Sequence, residues 1–208
     1  MEETRHISAY RQSLREKILD KAMQAFVAHG SRAVKMDDIA QSLGISKRTL
    51  YEIYENKEVL LTEGLKKAKA EEERRLSAIV AESGSVMDVL LYVYRRRMEE
   101  FSVVNPAFYA DMARYPQLIE YLEADKERHR QRMLDFLRRG VEEGFFRSDI
   151  DYVLTMKAFE AVSDLVMTQQ LYRTYTMRDL FSNILFVMLR GICTKRGVDV
   201  IDQFKQYT

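Results

Sequence analysis

Apolar residues recur along this chain at the spacing of helical turns, three or four positions apart. Near the N-terminus the apolar stripe runs through Leu14, Ile18, Ala22 and Phe26, which predicts a first helix from about Tyr10 to His29. No stretch of useful length alternates apolar and polar residues as a half-buried strand does. The pattern therefore predicts an all-α protein of about nine helices.

Capping and helix-breaking residues divide the rest of the chain into the other helices. Gly44 and Gly144 suit helix ends, while Pro106 and Pro116 suit first helical positions. A short exposed loop is expected at Phe145–Ser148. The predicted helices cover about 36–43, 46–54, 57–81, a segment from Ser85, a short one from Pro106, 117–143, 149–173 and a last segment that opens at Thr176 and ends near Ile192.

Residues 39–60 combine two short predicted helices around a tight turn. Gly44 can end the first helix in the left-handed conformation, and the Ser46 hydroxyl can cap the second by accepting from a free backbone N–H. The second helix opens with residues 47–49, Lys-Arg-Thr, which all carry donors, and Tyr51 returns to the same outer face one turn later. This is the helix-turn-helix pattern, whose second helix enters the major groove of double-stranded DNA.

The charge balance limits how this chain can attract DNA. The net charge is +1 over 208 residues, and residues 1–58 carry ten Lys or Arg against nine Asp or Glu. A protein that relied on bulk basicity would be far more positive. The positive surface must therefore be local, and the expected group is Lys47, Arg48 and Lys57, joined by Lys35, Arg5 and Arg11.

Several protein classes find no support in the residues. Cys193 is the single cysteine and leaves no intrachain partner for a disulfide. His6, His29 and His129 fit no metal-binding spacing, and no nucleophile or acid–base motif indicates an enzyme, so no metal or cofactor is expected. No run reaches the ~18 apolar residues of a membrane helix, and the charged N-terminus lacks a signal-peptide core. We expect a cytoplasmic protein without a membrane partner.

The last two predicted helices are apolar on more than one side. Residues 180–192 read LFSNILFVMLRGI, and the eighth helix carries one apolar stripe through Leu154 and another through Val162. A helix that is apolar on all sides is buried on all sides, either centrally in a monomer or in an interface. Two-fold pairing would give an intermolecular four-helix bundle. We expect a homodimer with an interface at Leu165, Leu180, Ile184, Leu185 and Met188.

The stretch MDDIAQSLGISKRTLYEIYENKEVL resembles the DNA-binding domain of the tetracycline-repressor (TetR) family of bacterial transcription regulators. The resemblance covers about Arg11 to Leu60. It implies a helix-turn-helix domain at 1–56 and a helical domain at 57–208 that binds a small molecule and dimerises through its last two helices, with helix 57–81 connecting them. The implied function is sequence-specific transcriptional regulation by a repressor that a small-molecule effector releases from its operator. The matching residues are Phe26, Gly30, Ile39, Ala40, Gly44, Ile45, Ser46, Leu50, Tyr51, Tyr54, Lys57 and Leu60.

The resemblance also implies which side chains contact operator DNA. Residues 46–49 would face the groove, and Tyr51 and Lys57 would meet backbone phosphates. Lys35 stands where Thr usually caps the helix, and Ile53 stands where Tyr or His is frequent. Arg48 replaces a small residue and can bond a guanine or a phosphate. The full expected set is Lys35, Ser46, Lys47, Arg48, Thr49, Tyr51, Tyr54 and Lys57.

Aromatic and methionine side chains concentrate at residues 92–115, a composition that also lines small-molecule pockets. The resemblance implies an effector site here, while the plain alternative is ordinary helical core and, for His129, a partly buried core histidine. A ligand-independent regulator, a small-molecule-binding protein with lapsed DNA function and a helical enzyme with a DNA-binding head are the other functions considered. The expected pocket residues are Tyr92, Arg95, Met98, Phe101, Phe108, Tyr109, Met112, His129 and Phe159.

Overall fold

The computed structural model describes residues 2–82 and 84–205, and the side chains of 9–82 and 84–203. These residues form ten helices and no β-strand, which confirms the predicted all-α class. The side chains of Arg5 and His6 lie outside the described residues, so what the sequence predicts for them stays a prediction. In chain order the helices are α1 (Glu2–His29), α2 (Met36–Ser42), α3 (Lys47–Ile53), α4 (Lys57–Glu82), α5 (Val86–Val103), α6 (Pro106–Met112), α7 (Pro116–Glu142), α8 (Tyr152–Thr168), α9 (177–191) and α10 (Lys195–Lys205).

The eighth helix is shorter than the sequence pattern predicts. It ends at Thr168 rather than near Arg173. Gln170 has a left-handed backbone with φ of 52°, which an α-helix cannot continue through. A single 3₁₀ turn, Leu171–Arg173, follows before α9 begins.

Two features of the C-terminal helices escape the sequence pattern. α9 is continuous, but it widens into a π-helical turn at Phe181–Leu185 between α-helical segments Met177–Leu180 and Phe186–Gly191. Sequence reasoning also missed α10, which packs through the fully buried Ile201. α10 is the reason that the structure has ten helices where nine were predicted.

The chain divides into two compact units, and the first consists of the residues up to 72 together with 104–122. Its core joins the apolar stripe of α1 to α2, α3 and the start of α4. Helices α1 and α4 approach closely at Gly64, where a Cβ atom would lie 2.2 Å from Sδ of Met23. The fully or almost fully buried core residues are Ile18, Leu19, Ala22, Phe26, Val34, Met36, Ile39, Ala40, Leu50, Tyr54, Leu60, Leu61, Phe108 and Leu118.

The second unit consists of residues 73–103 and 123 onward. It has its own core, formed by side chains of α5, α7, α8, α9 and α10. Aromatic rings are prominent in it: Tyr94 packs against Phe181 and Phe186 with centroids 5.7 and 4.7 Å apart. The buried residues are Val86, Met87, Leu90, Tyr94, Met98, Leu137, Phe145, Phe146, Met156, Phe186, Ile192, Cys193 and Ile201.

The segment Phe145–Ser148 is not the fully exposed loop that the sequence predicts. Phe145 and Phe146 are buried in the second core, at 7% and 1% exposure. The ring of Phe146 lies directly over Gly140, where a Cβ atom would be 2.0 Å from the ring. The backbone of Phe146 also forms a bridge to Cys193. Gly144 still turns the chain, with a left-handed φ of 77°, so the loop forms where it was predicted, but its two phenylalanines are buried.

The boundaries of the two units differ from those of the two predicted domains. The first unit includes α6 and the start of α7, because Asn105 donates its N–H to the Val27 carbonyl at 2.8 Å and its side-chain amide to the Ala28 carbonyl at 3.2 Å. These bonds tie α6 to the end of α1. The functional boundary between 1–56 and 57–208 stays a prediction.

Candidate nucleic-acid interface

The turn between α2 and α3 has the geometry that its residues favour. Gly44 is left-handed with φ of 65°, and its N–H donates to the Gln41 carbonyl at 3.1 Å. The next N–H, of Ile45, donates to the Ala40 carbonyl at 3.1 Å, which completes a Schellman motif. Ser46 then caps α3, because its hydroxyl accepts from the Thr49 N–H at 3.0 Å. The predicted roles of Gly44 and Ser46 in the fold are confirmed.

Of the two tyrosines at the end of α3, only Tyr51 faces outward. Tyr51 is about half exposed, whereas Tyr54 is fully buried. The Tyr54 hydroxyl points to the Arg15 carbonyl at 3.4 Å, and the Arg15 guanidinium covers its ring at 4.7 Å. Burial raises the pKa of Tyr54 to about 12, with nearby Glu63 adding to the effect. The expectation that Tyr54 contacts DNA is therefore wrong, because it is a core residue.

The first turn of α3 presents two cations that are both paired within the domain. Lys47 donates from Nζ to Asp37 on α2 at 2.5 Å, and this hydrogen bond raises the pKa of Lys47. Arg48 donates from Nε to Glu52 one turn along α3 at 2.8 Å. Exposed pairs of this kind contribute little to stability, because water screens them. They leave both cations available to a stronger anionic partner.

Lys35 precedes α2 in an extended conformation and makes no capping bond through its side chain. Instead, its backbone N–H donates to the Asp38 carboxylate at 2.9 Å, so the acid three residues later supplies half of a capping box. The ammonium of Lys35 remains on an exposed side chain. The structure thus agrees with the expectation that a side-chain cap is lost at this position.

Lys57, at the start of α4, is half-buried and bonded inside the first unit. Its Nζ donates to the Ser31 carbonyl at 2.9 Å. Burial lowers the pKa of Lys57, and the carboxylates of Asp111 and Asp38 oppose that shift. An ammonium has three donors, so this bond fixes the side chain and leaves capacity for a phosphate oxygen.

Two arginines of α1, which sequence reasoning did not connect with α3, hold its C-terminal end. Arg11 donates to the Glu52 carbonyl at 3.2 Å, and Arg15 donates to the Ile53 carbonyl at 3.4 Å and to Glu63 at 2.5 Å. Cations stabilise the negative end of a helix dipole. Two sequence features could have indicated these contacts: the two arginines are four residues apart on α1, and the last turn of α3 has no basic residue of its own.

Comparison with known proteins identifies this domain. Residues 18–63 match the family model described as bacterial regulatory proteins, tetR family. Over most of its length the chain is also similar to a curated repressor, the HTH-type transcriptional repressor KstR2 of Mycobacterium tuberculosis, with 28% identity over 196 residues that cover 89% of this chain and 96% of that protein. The chain is a transcriptional regulator of the TetR family.

Further comparisons agree with the TetR-family fold. KstR2 of Rhodococcus jostii is 29% identical over 150 residues, which cover 69% of this chain and 72% of that protein. The solved structure of the ketosteroid transcriptional regulator KstR2 of M. tuberculosis superposes with a TM-score of 0.57 at 25% identity, covering 87% and 95% of the two chains. A putative regulator from Saccharomonospora viridis gives 0.65 at 18% identity, covering 88% and 100%, and this match shows the fold alone.

The residues expected to line an effector pocket in this TetR-family chain fall into both units. Phe108 and Met112 pack with the core of the first unit, whereas Met98 and Phe101 pack with the core of the second. His129 is exposed, so the expectation of a partly buried histidine is wrong. Arg95 is exposed as well, and the half-buried members are Tyr92, Tyr109 and Phe159.

Two surface depressions lie in the first unit, and neither includes an expected pocket residue. The larger, of about 610 Å³, lies between the second half of α1 and α2; the smaller, of about 450 Å³, lies between α1 and α4. In the second unit, sequence reasoning missed Phe181 and Phe186, which form an aromatic group with Tyr94 and Phe101. Their spacing gave no signal, because the π-helical turn shifts the register of α9.

The expected interface residues of this TetR-family chain differ in their exposure. Leu165 is 50% exposed on α8 and lies on the same face as the exposed Leu154, Ala158 and Ala161. Leu180 is buried within its own chain at 6% exposure, so the expectation that it forms the interface is wrong. The α9 residues Ile184, Leu185 and Met188 are half-buried.

Two further features concern partners other than DNA. Within residues 2–82 and 84–205, no helix is both long and apolar enough to cross a membrane. Among the side chains that the structure describes, no three histidine, cysteine or carboxylate groups come together in a way that could hold a metal ion.

Proposed function

We propose that this TetR-family regulator is a homodimeric repressor that occupies its operator with α3 of each subunit in the major groove. The observation that carries the proposal is the outer face of α3, where Lys47, Arg48, Thr49 and Tyr51 offer donors on a helix capped at both ends. In two-fold helix-turn-helix dimers such helices reach half-sites about 34–36 Å apart. The relatives named as repressors favour repression over activation.

The individual contacts follow from the chemistry of each side chain. Arg48 reads a base, because its guanidinium can donate twice to the O6 and N7 atoms of guanine. Tyr51 and Lys57 bind backbone phosphates, and Ser46, Lys47, Thr49 and Lys35 complete the contact surface. Phosphate contacts position the protein, whereas base contacts specify the sequence. Arg48 is therefore the residue on which sequence preference depends most.

Homodimerisation places the apolar face of α8 against its copy. The face defined by Leu154, Ala158, Ala161 and Leu165 carries no charge, and exposed apolar area of this kind indicates an interface. Its small alanines allow two helix backbones to approach closely. The half-buried Ile184, Leu185 and Met188 on α9 extend the interface to a four-helix bundle.

The effector site of this repressor lies in the aromatic group of the second unit. The π-helical turn of α9 brings Phe181 against Tyr94 and Phe101, and Ser182 within 4.0 Å of Sδ of Met98. π-helical turns occur frequently at functional sites. A ring-shaped apolar molecule suits these side chains, and the similarity to a ketosteroid transcriptional regulator favours a steroid-like compound. Such a ligand would shift the population towards a conformation that no longer fits the operator. Because operator DNA is the proposed target of this protein, we expect it in the cytoplasm.

DNA binding is tested by selecting 30-base-pair duplexes from a random library and titrating the selected and a scrambled duplex. Arg48→Ala is expected to lower affinity for the selected duplex about 5- to 100-fold, with a smaller effect on the scrambled one. Arg138→Ala is the matched control, because Arg138 is an exposed arginine paired with Asp135 on α7. Equal losses on both duplexes would show that Arg48 contacts only phosphate. If no sequence is selected from the library, the alternative of a small-molecule-binding protein with lapsed DNA function would be favoured.

Effector binding is tested by thermal unfolding with a panel of ketosteroids and fatty acids, followed by release of the selected duplex. A binder is expected to raise the unfolding temperature and weaken DNA binding. Phe181→Ala should abolish both effects, while Phe136→Ala, in a separate aromatic pair with Phe146, should leave them intact. Ligand-insensitive DNA binding across the panel would favour the ligand-independent regulator.

A further inference from the structure

Glu52 holds one edge of the Arg48 guanidinium on the outer face of α3. The Nε–H of Arg48 donates to Oε1 of Glu52 at 2.8 Å, with side-chain exposures of 89% and 54%. A guanidinium has five N–H donors: one on Nε and two on each terminal nitrogen. Glu52 occupies the Nε–H, and among the described residues the terminal nitrogens of Arg48 have no hydrogen-bond acceptor. The two terminal nitrogens, which together can donate twice to guanine, therefore stay free.

The backbone beneath Glu52 is itself fixed. Arg11 reaches across from α1 and donates to the Glu52 carbonyl at 3.2 Å. The α3 helix has only seven residues, so a bond to its last turn restrains the end that carries Glu52. A chain of contacts thus runs from α1, through the end of α3, to the guanidinium that faces the groove.

A carboxylate on a DNA-reading face is costly unless it contributes to specificity. Non-specific affinity comes from neutralising phosphates, and a neighbouring carboxylate repels them. With ten cations against nine acids in residues 1–58, this domain has little charge to spare. Specificity, in contrast, is a difference of affinities, and an element that weakens the wrong complexes increases it.

We propose that Glu52 is a positioning residue for sequence readout. It orients the Arg48 guanidinium so that its two terminal nitrogens point into the groove towards one guanine, and its charge weakens complexes in which Arg48 meets phosphate only. This inference rests on the proposed function, in which Arg48 reads a base. Loss of an exposed i, i+4 pair changes helix stability little, so surface variants of Glu52 are expected to fold.

The test compares the selected and scrambled duplexes for three variants. Glu52→Ala removes both the charge and the bond, and it should lower the ratio of the two affinities about tenfold, with stronger scrambled binding. Glu52→Asp keeps the charge but is one methylene too short to keep the bond; it should lower the ratio without strengthening scrambled binding. Glu55→Gln, at an exposed carboxylate just beyond α3, is the matched control for loss of charge and should strengthen binding to both duplexes equally.

Three outcomes would overturn the proposal. If Glu52→Ala behaves as Glu55→Gln does, Glu52 is only a surface charge. If Glu52→Asp keeps the full affinity ratio, orientation of Arg48 is not its role. If Glu52→Ala lowers the ratio equally in an Arg48→Ala background, Glu52 acts independently of Arg48, for example by accepting from a cytosine amino group. Failure of the proposed function is separate, since Arg48→Ala alone would then leave the ratio unchanged.

Discussion

The outward faces of α3 and α8 are both exposed, yet they present opposite chemistry. On α3 the cations Lys47 and Arg48 each have a carboxylate partner at 2.5 and 2.8 Å, so the surface is satisfied in water. On α8 Leu154 and Leu165 are 65% and 50% exposed and share their face with the exposed Ala158 and Ala161. The α3 face can exchange water for DNA reversibly, whereas the α8 face gains only by excluding water. The comparison therefore separates the proposed DNA-reading surface on α3 from the proposed dimer interface on α8.

The largest effect should follow from charging the α8 face. Leu154→Asp combined with Leu165→Asp would bury carboxylates at the proposed interface, which is strongly unfavourable. We expect a monomer in sedimentation equilibrium and, because two linked heads gain about 100-fold or more in avidity, a loss of that size in operator affinity.

The control for the α8 variants is Val80→Asp, which charges an exposed valine on α4. It should stay dimeric and keep operator affinity. If the double variant stays dimeric, the interface does not lie on this face of α8. Leu185→Asp is a weaker test, because Leu185 is half-buried and the substitution would also disturb its own subunit.

The next effect concerns phosphate binding around α3. Lys57→Ala should weaken binding to selected and scrambled duplexes alike and reduce the slope of log K against log salt by about one unit for each phosphate that the ammonium neutralises. Tyr51→Phe should weaken both duplexes with an unchanged slope, since the hydroxyl is neutral. The measurement is titration at several salt concentrations from about 50 to 200 mM. An unchanged slope for Lys57→Ala would mean that its ammonium binds only the Ser31 carbonyl.

Local chemistry explains why α3 was predicted well and where that prediction failed. The roles of Gly44 and Ser46 depend on neighbours within five residues, so the sequence alone predicts them. Tyr54 looks like Tyr51 in sequence, but it lies four residues after the buried Leu50 and therefore on the inward side, where it is fully buried. The contact of Arg11 with Glu52 joins residues 41 positions apart and leaves no local pattern.

The second unit was predicted less completely for the same physical reason. Periodicity predicts its helices except α10 and the end of α8. Leu165 is exposed, and its place in the interface stays a prediction. Leu180 is buried instead, at 6% exposure. The π-helical turn that starts at Phe181 changes which side the following residues of α9 face, so Leu180 and Met188 do not share the face that a regular helix would give them. The aromatic group of Tyr94, Phe101 and Phe181 likewise depends on packing between distant helices, which periodicity cannot specify.

A smaller effect is expected at the turn that presents α3. Gly44→Ala would place a side chain at φ of 65°, where no atom lies within 4 Å of the new Cβ, so the cost is backbone strain of about 1–2 kcal/mol in the free energy of unfolding. Gly191→Ala meets equally open space in a helical backbone and should instead be neutral or stabilise by about 0.5–1 kcal/mol. Urea denaturation measures both free energies of unfolding. If both substitutions changed stability in the same direction, the left-handed geometry of Gly44 would be contradicted.

The smallest expected effect distinguishes a cap on the reading surface from a cap elsewhere. Ser46 and Thr176 both cap a helix, accepting from the N–H groups of Thr49 at 3.0 Å and Asp179 at 3.1 Å. Replacing either by alanine should cost about 1 kcal/mol of unfolding free energy. Only Ser46→Ala should also weaken operator binding, because the same turn holds Lys47 and Arg48 and because Ser46 is itself part of the proposed contact surface. If Thr176→Ala weakened operator binding equally, the loss would reflect overall stability. The cap at Ser46 would then have no specific role in preparing the first turn of α3 for DNA.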